Sequence, residues 1–151
     1  MASAIRVLCV AAFGICIASF VWAMSGRFFR KVERFGAGFR LIQACGAFAA
    51  VMNLRALVAH PSIGSRSGLA ALAMYGVALA EFWWAIATHG RRSPTHAFSS
   101  DEPVHLVCEG PYRAVRHPFY SAYLITWSAA LIATQDLMLL VPLCLMGAIY
   151  W

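Results

Sequence analysis

Two arginines, a histidine and two tyrosines crowd into the stretch Gly110-Pro111-Tyr112-Arg113-Ala114-Val115-Arg116-His117-Pro118-Phe119-Tyr120. A guanidinium group binds carboxylates in a two-pronged geometry, an imidazole hydrogen-bonds in either sense, and a phenol offers an aromatic face beside a hydroxyl. Such a set suits the capture of a small polar ligand. Pro111 and Pro118 fix φ and push the residues before them out of the α region, so these side chains are expected on a stiff turn that feeds an apolar helix.

The elements that position the turn are written in the composition. Of 151 residues, 62% are hydrophobic and 12% charged, and the mean hydropathy is +0.71. A water-soluble domain of this size would expose large apolar patches at that composition, so the chain reads as an all-α integral membrane protein. The formal charge of +6 does not point to nucleic acid. The basic residues sit in short gaps between apolar runs, where they face lipid headgroups and set topology.

Runs of membrane length extend from Ile5 to Met24, Phe39 to His60 and Gly68 to His89, each near the ~20 residues that cross about 30 Å of hydrocarbon. Two shorter runs follow the polar turn, Phe119 to Ala133 and Leu137 to Trp151, parted by Thr134-Gln135-Asp136. At 1.5 Å per residue each reaches about 22 Å, which predicts a tilted or unfinished helical hairpin and about five transmembrane helices in all. Residues 1–151 form one domain, without repeats or low-complexity segments, and the connection 90–118 is the one soluble segment long enough to build a pocket.

Charge asymmetry orients the chain. The first connection carries Arg27, Arg30, Lys31, Arg34 and Arg40 and the third carries Arg91, Arg92, Arg113 and Arg116, while the second has Arg66 alone. The odd connections, and the polar turn with them, are expected in the cytoplasm. The N-terminal run lacks a clean small-x-small cleavage site and is read as a retained span. Cys9, Cys16, Cys45 and Cys144 fall inside apolar runs as small side chains. Cys108 lies between His105 and His117, but no zinc-like CxxC or HExxH spacing accompanies it, so no metal is expected.

Glu81 is a carboxylate deep in an apolar run, and an intramembrane ionisable group is a functional hypothesis in itself. Its plain alternative is a salt bridge to Arg55. Arg55 lies about 7 Å and Glu81 about 20 Å from the outer ends of their runs, so their side chains barely meet. The adjacent Phe82-Trp83-Trp84 reads as packing and interfacial anchoring.

His105-Leu106-Val107-Cys108-Glu109-Gly110-Pro111-Tyr112, followed by Arg116-His117-Pro118-Phe119-Tyr120, resembles the signature of the isoprenylcysteine carboxyl methyltransferase family, within the wider phospholipid methyltransferase group. The signature reads approximately H-x-L-V-x-x-G-x-Y-x-x-x-R-H-P-x-Y-x-G. Ala122 stands where the family commonly has glycine, and His105 directly precedes Leu106 where many members have an intervening residue. Members continue beyond the hairpin with a basic, glutamate-rich helix, so relative to them this chain reads as truncated at its C-terminus.

The resemblance implies methyl transfer from S-adenosyl-L-methionine to a lipid-like or prenylated acceptor in contact with membrane lipids. His105, Leu106, Val107, Tyr112, His117, Pro118, Phe119 and Tyr120 are then the cofactor-binding residues, with Arg116 and Glu81 assigned to catalysis. Arg116 pairs with a carboxylate of cofactor or substrate on this reading, and anchors the helix at headgroup level on the plainer one. A carboxylate acceptor is already ionised at neutral pH and needs positioning alone, which favours an isoprenylcysteine-type acceptor. An amine or thiol would need His117 or Glu81 as base. Two other classes stay open: a non-catalytic membrane fragment or scaffold, and a nicotinamide-dependent reductase, for which no glycine-rich phosphate cradle is present.

Overall fold

A computed structural model describes residues 2–29, 36–90 and 107–150. They form five α-helices, α1 (Ala2–Trp22), α2 (Ala37–Ala59), α3 (Ser65–His89), α4 (Pro118–Thr134) and α5 (Leu140–Tyr150), and no strand. A π-helical turn, Ala23–Arg27, prolongs α1, and 3₁₀ turns at Gly110–Arg113 and Leu137–Leu139 precede α4 and α5.

Three helical stretches are long and apolar enough to cross a membrane: Ser3–Ser25, Ala37–Ala59 and Ser65–His89. At 1.5 Å per residue each runs about 35 Å, more than the hydrocarbon thickness of about 30 Å. Their ends follow local chemistry. His60 is extended (φ −68°, ψ 123°) because Pro61 disfavours the α region for it, and Gly90 leaves α3 at φ 59°, a conformation that costs glycine little. All three begin a few residues before the apolar runs do, since small and polar residues such as Ser65 and Ser67 are carried as the first turn.

The three long helices are apolar on their exposed faces as well as on their buried ones, the pattern of helices with protein on one side and lipid on the other. On α1 and the π-helical turn that prolongs it the buried stripe is Ile5, Cys9, Phe13, Cys16, Phe20 and Ala23, at helical spacings of three and four, while Val7, Leu8, Ile15 and Val21 are exposed. On α3 the buried stripe is Gly68, Ala71, Tyr75, Ala78, Phe82 and Ala85, small residues alternating with rings. The most extensive interface joins α3 to α4, and α4 contributes buried Ala122, Ala129, Ala130 and Ala133. Small side chains let helix backbones approach when lipid supplies no hydrophobic drive between helices. Gly68 shows the same economy: a Cβ there would strike the Ile5 side chain.

Between α4 and α5 the chain turns through Gln135 at φ 56°. The Asp136 carboxylate then accepts from Met138 N at 3.0 Å, starting the 3₁₀ turn before α5. α4 has 17 residues and α5 has 11, about 25 Å and 17 Å of helix.

Candidate functional site

The polar turn folds onto the end of α3. Gly110 takes φ +57° with its Cα against the Thr88 side chain, which a Cβ would strike. That contact sets the 3₁₀ turn Gly110–Arg113 on α3, with Pro111 buried beneath it. Tyr112 consequently reaches His89, the last residue of α3, and the phenol oxygen and Nε2 are 2.7 Å apart, the tautomer deciding which donates. Burial pushes the Tyr112 phenol up to about 12, so it keeps its proton at neutral pH.

Around this pair lies an aromatic layer. His89 stacks on Phe119 at 6.3 Å and 20°, and Phe28, just past the π-helical turn, packs against both His89 (5.7 Å) and Phe119 (5.8 Å). Phe119 also meets Phe82 at 5.4 Å. Tyr112 and Phe119, assigned to the cofactor by sequence, are thus joined to each other through His89.

His117 and Arg116 stand on the other side of the turn, and both are exposed. His117 opens α4 as its N-cap: its carbonyl accepts Tyr120 N at 3.0 Å and Ser121 N at 3.1 Å. Pro118 fits the first helical position because it has no N–H to satisfy there. The His117 ring lies 5.3 Å from Tyr120. Tyr120 stacks flat on Tyr150 of α5, at 4.3 Å and 6°, and Tyr123 lies 6.0 Å from Tyr150 on the same side. The Arg116 guanidinium makes no ion pair or hydrogen bond with a described residue.

Glu81 is about 12 Å deeper along α3 than His89. Its Oε1 accepts a hydrogen bond from the Ser121 hydroxyl at 2.5 Å, so its partner among the described residues is Ser121 of α4 and not Arg55, which is exposed on α2. Trp22 and Trp83 pair at 5.2 Å, and Trp84 is exposed beside them. Such tryptophans are of the kind that gather at membrane–water boundaries, and Trp83 and Trp84 lie within the last two turns of the apolar stretch Ser65–His89.

The sequence-assigned residues therefore divide. His117 and Arg116 are exposed, Tyr120 is half-buried on Tyr150, Tyr112 and Phe119 are packed on His89, Pro118 is buried at the base of α4, and Val107 is half-buried in coil. His105 and Leu106 lie outside the described residues, as do Arg30, Lys31, Arg34, Arg91 and Arg92. His89, Ser121, Tyr123 and Tyr150 were not singled out by sequence. For Tyr123 a signal was available, since it follows Tyr120 by three positions on one helix face. No protein-family model matches the chain, and comparison with curated proteins and with solved structures finds no match.

Proposed function

We propose that the protein is an integral membrane methyltransferase that uses S-adenosyl-L-methionine and modifies a lipid-like acceptor at the cytoplasmic face. The supporting observation is the Arg116 guanidinium, without a partner among the described residues, next to the exposed His117 at the mouth of α4, where Tyr120 and Tyr123 form an aromatic wall with Tyr150 of α5. The signature resemblance ending at Tyr120 agrees with it. In this reading α4 and α5 are a membrane hairpin that completes five spans.

The residues present fit the cofactor. Arg116 offers a bidentate partner to its amino-acid carboxylate, His117 a hydrogen bond, and the tyrosine faces the attraction that a π-system has for a sulfonium cation. When bound, S-adenosylmethionine supplies a methyl group whose bond to sulfur breaks as the acceptor's bond to carbon forms, leaving a neutral thioether. The chain's own part is binding, orientation and exclusion of water. An isoprenylcysteine-type carboxylate brings its own ionised oxygen and requires in-line positioning alone. An amine or thiol acceptor must lose a proton, and Glu81 Oε2, which Ser121 leaves unused, is the carboxylate atom that faces that task.

Equilibrium binding of S-adenosylhomocysteine to the detergent-solubilised chain tests this reading. Saturable binding that His117→Ala weakens supports it. Absence of binding, or binding that His117→Ala and Arg116→Gln leave unchanged, overturns it and favours a non-catalytic membrane scaffold.

A further inference from the structure

At the end of the bundle opposite the polar turn, α1 and α2 leave an open groove of about 290 Å³ lined by Arg6, Val7, Val10, Ala11 and Val58. The size is near the lower bound of roughly 300 Å³ usual for ligand pockets. Its walls are apolar and face outward, with Val7 62% and Val58 56% exposed. Arg6 is the charged residue of its lining. The guanidinium is held there because Nη1 donates to the His60 carbonyl at 3.0 Å, which spends one of its five N–H donors and fixes the side chain in advance.

Arg55 adds a second cation. It precedes Val58 by three residues, shares its helix face, and is exposed. An arginine one turn inside the end of a span extends its apolar stem along the helix and brings its charge to headgroup level. The acidic residue described at this end, Asp136, lies on the α4–α5 connection, where its carboxylate accepts from Met138 N. An open apolar groove with Arg6 in its lining and Arg55 on the Val58 face of α2 matches an acyl chain joined to an anionic phosphate.

We infer that this groove retains one anionic phospholipid, with an acyl chain along Val7, Val10, Ala11 and Val58 and the phosphate on Arg6 and Arg55. This lipid site is separate from the Arg116–Tyr120 region and independent of the proposed methyl transfer. A fixed guanidinium fork suits a phosphate better than a mobile ammonium does, and the second arginine selects a headgroup with net negative charge over a zwitterionic one.

Native mass spectrometry of the full chain in detergent, titrated with phosphatidylglycerol or phosphatidylcholine of identical acyl chains, tests the site. The expected result is a single retained phosphatidylglycerol, preferred about fivefold per arginine engaged. Arg6→Gln and Arg55→Gln should each lower that preference, Arg66→Gln should not, and Ala11→Trp should reduce retention of both lipids by filling the slot. Equal retention of the two lipids by the parent chain, preference undiminished in Arg55→Gln, or retention undiminished in Ala11→Trp overturns the inference. The last two variants touch no hydrogen bond of the bundle, so they decide the matter even if Arg6→Gln fails to fold.

Discussion

Ser121 donates its hydroxyl to Glu81 Oε1, pinning the first turn of α4 to α3. The Ser121 oxygen also lies 3.1 Å from the Pro118 carbonyl, so its single proton has a local alternative and the carboxylate is the stronger acceptor. Ser121→Ala should destabilise the bundle by about 1–3 kcal/mol, the cost of removing a partner from a desolvated polar group. Glu81→Gln keeps an acceptor for Ser121 and should cost less. Thermal unfolding in detergent ranks the two, and equal losses would mean that the hydrogen bond contributes nothing beyond the charge.

Glu81→Gln also separates acceptor classes. With a carboxylate acceptor, turnover should change less than about twofold, since no proton is removed in the transition state. With an amine or thiol, turnover should fall by the roughly 10²–10⁴-fold that a general base contributes. Initial rates with matched prenylated acid and amine acceptors make the comparison.

His117→Ala should weaken S-adenosylhomocysteine binding by about 1–3 kcal/mol, the range for a lost hydrogen bond at a desolvated contact. The helical circular-dichroism signal should persist, because the His117 backbone carbonyl and not its side chain opens α4. Tyr120→Phe should retain the stack on Tyr150 and the unfolding midpoint while losing some binding through the hydroxyl. If binding and turnover both match the parent, Tyr120 is a packing aromatic.

Gly110→Ala should release the turn from α3. The substitution imposes a left-handed conformation at φ +57° on a residue with a Cβ, and that Cβ meets the Thr88 side chain. The conformational part alone is about 1–2 kcal/mol. Thr88→Ala in the same chain should recover the steric part and leave the conformational part, which a double-mutant comparison of unfolding midpoints resolves.

Tyr112 carries a pH signature. Burial raises the phenol in the folded state to about 12, above the unfolded value of about 10. The neutral phenol is the form that the fold favours, so its contribution to stability is complete below pH 10 and is lost as pH rises from about 10 toward 12. Tyr112→Phe has no such proton to lose. The parent chain should therefore lose more stability than Tyr112→Phe between pH 9 and 11, and parallel decline of the two would place the titrating group elsewhere.

Apolar run length determined α1, α2 and α3 without reference to anything distant, because a chain in hydrocarbon must satisfy its backbone internally and helices do so. The prolines of the Gly110–Tyr120 stretch likewise foretold a turn entering a helix, since proline acts on its own φ and its neighbour's. What no local pattern carried was which side chains would meet. Glu81 meets Ser121 because α3 and α4 approach on alanines. Tyr112 meets His89 because Gly110 has no Cβ to hold the turn away from Thr88. Tyr120 meets Tyr150 because α5 returns beside α4. Helices that are apolar on every face hold no record of which face will turn to protein and which to lipid, so those pairings belong to the packing of the whole bundle.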